Sequence, residues 1–485
     1  MSRFFEWTPD DAPAVILETS SEDAWDQLRS WYAPNAAAPP LERIIEIAKS
    51  HGVAAVLVER RYIDADYRSE HSRFYSTTFR RYPSVCHRLH FFTSPVPADL
   101  TGLSDLQDHY VGYSVMRPFE STPVGRTMIA PPPELADATL CCATDEVHLF
   151  GWPLSVSAVP FTSQDAQYLR CAHAAEWMVL YHAHLHHGLP RRLPSDIHDA
   201  AVGGEVVNRQ LPSMGLSLGQ MLNSLHVFGL SPSRLLLPDT RADSQAAGPL
   251  LSLPATLCRY VNSQMPPIVV STSHAWVVAG YQIVGTGPAH DNVVFYRNDD
   301  AAGPYIRVAD PWNELEAQHQ PWLFAIPPLP QKCYLTAERA ELLGHAWLGP
   351  TAAGVGGEVA DLVQHGHLSL RTYGVSSVRF KAGLEARNIP DEVAALYRMA
   401  NWPRYVWVVE AVDRAARDAG QPAVIGELIL DATAHHLVAV DDQGPILALH
   451  VAGNAVTQSI DYRELRRVGA AAWQRYESGS PAAPG

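Results

Sequence analysis

The chain is poor in cysteine, poor in charge and without a long apolar run. Six cysteines in 485 residues, none of them in a C-x-x-C pair, exclude a disulfide framework and a thiolate zinc site of the usual spacing. The longest apolar stretches, 53–58 and 275–280, fall far short of the roughly 20 residues that cross a bilayer, so no membrane partner is expected. The opening MSRFFEWTPDDAPAVILE has no apolar core of leader length, which makes a cytoplasmic location the expectation. Positive charge is also short. With 36 Lys and Arg against 51 Asp and Glu the formal charge is −15, which leaves no global field for a phosphate backbone and no nucleic-acid partner expected.

What remains is an ordinary globular composition, 47% hydrophobic and 18% charged, able to bury a sizeable core. The length suggests about three domains, and the expected class is α+β. Helical patterns over 21–32 and 40–50 precede apolar runs at 53–58, 85–92, 110–116, 126–130, 138–144 and 147–159. Pro, Gly and Asp clusters part these runs, and together they read as an N-terminal α/β domain over 1–159. A middle domain over 160–330 has helices first and strands second. Its long helix through Cys171 closes with Gly188 and Pro190. A C-terminal α/β domain over 331–478, with strand candidates at 405–409, 423–430, 436–440 and 446–451, precedes a tail, 479–485, read as disordered.

The middle domain carries the chemistry. Three pieces stand in the order Cys, His, Asp: QDAQYLRCAHAAEWM around Cys171, STSHAWVVAGY around His274 and RVADPW around Asp310. A thiolate is the nucleophile, an imidazole takes or shares its proton, and a carboxylate holds the ring, so each role has one candidate. Thr162 with Asp165 three residues on reads as a capping box. A helix starting there would place Cys171 two turns inside it, away from the helix-start field. A break near Tyr168 to Arg170 is expected instead, with Arg170 beside a cysteine that opens the helix.

Over roughly 161–312 the sequence resembles the papain-like cysteine peptidases, most of all their bacteriocin-processing C39-like branch. The likeness lies in CAHAAEWMVLY, QMPPIVV, HAWVVAGY and the DPW turn. It implies a two-lobed α+β fold with the nucleophile at the start of a central helix. It also implies Cys171 as nucleophile, His274 as general base, Asp310 as its partner and Gln164 as oxyanion donor. The family's Gly after the cysteine is Ala172 here, and its Gln position six residues upstream is Asp165. The expected function is a cysteine peptidase-like hydrolase that cleaves a peptide or isopeptide bond through a thioacyl intermediate, with a protein or peptide substrate and neither cofactor nor metal. A deamidase or acyltransferase using the same triad, and an inactive papain-like binding or scaffold protein, are the alternatives.

Two other patterns are set aside. His182 and His186 have the i, i+4 spacing of helical metal ligands but lack a metalloprotease acid, and read as a solvated helix end. The Arg- and Tyr-rich stretch 60–82 includes Asp64, Asp66 and Glu70, and reads as a solvated or partner-facing surface.

Overall fold

The computed structural model describes residues 12–35, 37–203, 213–237, 253–284, 293–308, 323–349, 357–387, 389, 391–435, 437–439, 444–451, 454–458, 465–467 and 475–476. Asp310 and the tail 479–485 lie outside the described residues. The chain divides into two compact units, Met1–Leu236 with Pro266–Pro328, and Leu237–Met265 with Leu329–Ala483. Both are α+β with antiparallel sheets.

The first unit opens with β1 (Ala14–Glu18), α1 (Glu22–Tyr32) and α2 (Pro39–Ser50). Each helix buries one stripe, Trp25, Leu28 and Tyr32 on α1 and Leu41, Ile44, Ile45 and Ala48 on α2, as amphipathic spacing requires. β2 (Ala55–Tyr62), β3 (Cys86–Phe92), β4 (Tyr110–Met116) and β5 (Val124–Ile129) follow β1 in a meander, so the α/β reading of this region gives way to an all-antiparallel sheet. Helix α3 (Ala65–Arg73) branches off between β2 and β3. The two runs expected at 138–144 and 147–159 are three strands, β6 (Thr139–Leu140), β7 (Ala143–Leu149) and β8 (Trp152–Ala158). Phe150 and Gly151, both at positive φ, form the two-residue turn of the β7–β8 hairpin.

Helix α4 (Cys171–His187) is buried on nearly every side, so it is a central helix and not a surface one. Gly188, at φ +68°, closes it in the left-handed conformation that a side chain disfavours. Helices α5 (Pro194–Val202) and α6 (Leu218–Val227) pack against it. β9 (Leu235–Leu237) is the short strand at which the chain passes from one unit to the other. On its return it forms β10 (Ile268–Val270), β11 (Ala275–Ile283), β12 (Val293–Asp299), β13 (Gly303–Val308) and β14 (Leu323–Ile326). These strands lie in the order β13-β12-β11-β10-β14, and α4 lies against β10 and β11.

The expected boundary at 159/160 falls inside this unit. β6 pairs with β11, Phe161 bridges Thr127, Asn298 donates to the carbonyl of Pro160 at 2.9 Å, and the Tyr305 hydroxyl reaches the carbonyl of Ile129 at 3.1 Å. Gly280 permits the first of these. A Cβ there would collide with the Thr139 carbonyl and Leu140. One apolar core runs from Leu17 to Ile326.

Within 60–82 the arginines Arg61, Arg68, Arg73, Arg80 and Arg81 are exposed as expected of a surface, but the acids are not. Asp64, Asp66 and Glu70 are buried, with Arg126 on Asp64 at 2.7 Å, Arg191 on Asp66 at 2.9 Å and Arg117 on Glu70 at 3.4 Å. Charges from distant segments neutralise them, a pairing invisible to local sequence. His182 and His186 are likewise buried and stacked, ring centroids 5.2 Å apart, rather than solvated.

The second unit is a six-stranded meander of β15 (Leu368–Ser376), β16 (Tyr405–Asp413), β17 (Val424–Asp431), β18 (Ile446–Val451), β19 (Asn454–Gln458) and β20 (Leu465–Arg467). The helices Leu253–Asn262 and Ala337–Leu348 pack on it, locked by Arg259 on Glu341 at 2.7 Å. The strand expected at 436–440 is not formed at 437–439. β17 pairs with β18 directly, and Asp431 caps the turn between them by accepting from Thr433 N–H at 2.7 Å. No described helix is long and apolar enough to cross a membrane.

Candidate active site

Cys171 is the first residue of α4, and Arg170 is its N-cap in extended conformation. The competing helix start at Thr162 is not formed. Asp165 turns its carboxylate onto the chain ahead of it, where Oδ1 accepts from the N–H groups of Gln167, Tyr168 and Leu169 at 2.8, 2.7 and 2.9 Å. That carboxylate closes a loop instead of capping a helix, and Ala166 supports the bend at φ +61°. Arg117 pins the same segment from the sheet, its Nη2 2.8 Å from the Val124 carbonyl and 2.9 Å from that of Ser163. Arg170 is held by its own bond, Nε to the Ser213 carbonyl at 2.9 Å. Helix geometry then leaves the N–H groups of Cys171, Ala172 and His173 without an intrahelical acceptor, the donor set an anion wants. Gln164 sits half-buried seven residues before Cys171 on this loop.

His274 stands where β10 turns into β11. Val270 pairs with Ala275, and Ser271 closes the turn by accepting from the His274 N–H at 3.1 Å. Because β10 and β11 both lie on α4, the turn brings the ring to the helix start, where the Cys171 thiol helps to favour its charged form. Nε2 of the ring lies 3.0 Å from Oδ2 of Asp299, the last residue of β12. Burial works against charge on the imidazole. The hydrogen bond to Asp299, the Cys171 thiol and the charges of Asp299 and Asp300 outweigh that cost and hold its pKa up at about 10. The Asp299 carboxyl is raised by burial but pulled below its ordinary value by His274 and Arg297.

Asp299 is fully engaged. Oδ1 accepts from Ala301 N–H at 3.0 Å, and Oδ2 is shared between His274 and Arg297, whose Nε lies 3.2 Å away. Arg297 lies over the Trp276 ring at 5.4 Å, which fixes it beside the carboxylate. The next residue, Asp300, places Oδ1 3.9 Å from His274 Nε2 with its side chain fully buried. Ligand-type atoms of His274, Asp299 and Asp300 lie within 4.8 Å of one another, the one such group of three among the described residues. A divalent cation there would have to displace both the imidazolium proton and Arg297.

Of the residues singled out by sequence, Cys171 and His274 are brought together, and Gln164 lies on the loop that leads into Cys171. Asp310 is outside the described residues. Asp299 and Asp300 were missed, although a signal exists. Antiparallel pairing sets Val277 opposite Asn298, so the end of VVFYRNDD must arrive beside His274. The arrangement sets a half-buried thiol at the start of α4 beside an imidazole whose Nε2 is held by a carboxylate. Chemically that is a nucleophile, a base and an orienting acid. No protein-family model matches the chain, and no curated protein sequence matches it.

Proposed function

We propose that the chain is a cysteine peptidase-like hydrolase with a papain-like arrangement in its first unit, acting on a peptide or isopeptide bond. Cys171 is the nucleophile, His274 the base and Asp299 the residue that orients the ring. The observation that carries this reading is the His274 imidazole, its Nε2 3.0 Å from the buried Asp299 carboxylate and its charged form favoured by the cysteine that opens α4.

The steps follow from that geometry. The Cys171 thiolate attacks the carbonyl carbon, a C–S bond forms, and the oxygen takes the negative charge. The N–H groups at the start of α4 stabilise that oxyanion, with Gln164 the candidate side-chain donor. The C–N bond breaks as the His274 imidazolium passes its proton to the leaving amine. Water, giving a proton to the now neutral imidazole, attacks the thioester carbon; the C–S bond breaks, releasing the acid and restoring the Cys171 thiolate beside the imidazolium. Throughout, Asp299 keeps the ring in one orientation and favours its charged form. Loss of ammonia from a glutamine side chain passes through the same intermediate, so deamidation is the alternative reaction at the same residues.

The test is a screen of peptides, isopeptides and glutamine-containing peptides with wild type and Cys171→Ala, reading new amines and free ammonia separately. Turnover in wild type that disappears in Cys171→Ala supports the proposal, and ammonia without new termini selects the deamidase. A wild type that turns over nothing while retaining its fold favours the binding-protein alternative.

A further inference from the structure

The site holds one more carboxylate than the proposed reaction uses. Asp299 has a hydrogen-bond partner for each oxygen, Ala301 N–H on one and the His274 ring on the other, and Arg297 pairs with it as an ion at 3.2 Å. Asp300 has none. Its side chain is fully buried, and neither oxygen meets a donor. A carboxyl without a donor is among the costliest groups to bury, and the short β12–β13 turn in which it stands is of a kind that Asn or Gly serves without that cost. The polar group it approaches is the His274 ring, Nε2 to Oδ1 at 3.9 Å.

The geometry points to Asp300 as a second positioning carboxylate, one that stabilises the charged form of the His274 ring through an otherwise unmatched buried charge. This inference rests on the reading of Cys171 and His274 as nucleophile and base. The groups that face the ring are Cys171 from α4, Asp299 and Arg297 from β12, and Asp300 from the turn after it. Arg297 spends its charge on Asp299, so the imidazolium is the cation left for Asp300. When the ring gives its proton to a leaving group, Asp300 loses that counter-charge and becomes the less stable anion. Return of a proton to the ring is thereby favoured, and Asp300 resets the site without touching substrate. Burial above all, with Asp299 adding to it and His274 opposing, pushes the Asp300 carboxyl up to about 7, consistent with a charge that depends on its neighbour.

The test uses two alkylating reagents on Cys171. Iodoacetate is an anion and gains from a neighbouring imidazolium, whereas iodoacetamide is neutral and does not. The ratio of their rates against pH therefore reports the charge on His274. In wild type the ratio falls near pH 10. In Asp300→Asn the fall moves down by about 1 to 3 units, the shift that an opposite charge at this range produces, and Asp300→Glu restores much of it. Asp300→Ser replaces Asp300→Asn if the amide fails to fold. A fall at the wild-type pH in the Asn or Ser variant overturns the inference while leaving the parent reading intact. A wild type whose ratio is flat, or whose Cys171 reacts no faster than its other thiols, overturns the parent reading and this one with it. Zinc retained at one equivalent by wild type and lost from Asp300→Asn also overturns it, because the carboxylate would then serve a metal.

Discussion

Arg117→Met tests how the loop before the nucleophile is held. Arg117 is fully buried just after β4, faces the buried Glu70 at 3.4 Å, and ties the carbonyls of Val124 and Ser163 to one guanidinium. Removing one partner of a buried pair costs about 3–5 kcal/mol, since the other charge is stranded. Glu70 has an escape. Burial holds its carboxyl well above the ordinary range even beside Arg117, so without the arginine it takes up a proton, and the lower end, about 3 kcal/mol, applies near neutrality. A group whose folded pKa is raised is best tolerated at low pH and destabilises as pH rises, so the penalty shrinks towards pH 5 and grows towards pH 9. At about 1.4 kcal/mol per tenfold, amide exchange across 163–170 should quicken about a hundredfold at pH 7. Hydrogen exchange read by peptide mass measures it. Acceleration under about fivefold, or the same at pH 5 and pH 9, refutes the reasoning.

Gly280→Ala drives a methyl into the Thr139 carbonyl and Leu140, and should lower the unfolding midpoint by the equivalent of about 1–3 kcal/mol or more, whereas Gly219→Ala, with open space around it, should be neutral to slightly stabilising. Thermal unfolding compares them, and equal midpoints would mean that β6 moves aside freely. Glu176 is buried on α4 with Ser224 donating to it, and burial raises its carboxyl well above the ordinary range. Such a group costs stability as pH rises above its unfolded value, so Glu176→Gln should gain on wild type between pH 5 and pH 8; parallel midpoints over that range would show no such carboxyl.

Much of the first unit was legible. The helices over 21–32 and 40–50, the strand 110–116 and the run 274–283 come within a few residues of their observed bounds, because each buries an apolar pattern of its own period. The start of α4 was readable as well: Asp165 lies five residues before Arg170, the cap of the helix that Cys171 opens, and it binds its own loop instead. Long-range pairing was not legible. Asp64, Asp66 and Glu70 look solvated in a stretch of arginines, yet their partners Arg126, Arg191 and Arg117 come from far along the chain. The same blindness hid Asp299. The DPW motif drew attention to Asp310, while strand register carries Asp299 to His274.

The central claim, that His274 activates Cys171, is tested most directly by the alkylation rate of each thiol in the intact protein at neutral pH, wild type against His274→Ala. Four of the six cysteines are buried; Cys142 and Cys171 are half-buried, but burial pushes the Cys142 thiol up to about 12, whereas Cys171 opens a helix. The account predicts selective labelling of Cys171 in wild type and a fall of at least about tenfold at that residue alone in the variant. Labelling of Cys171 at the same rate in both proteins would contradict it.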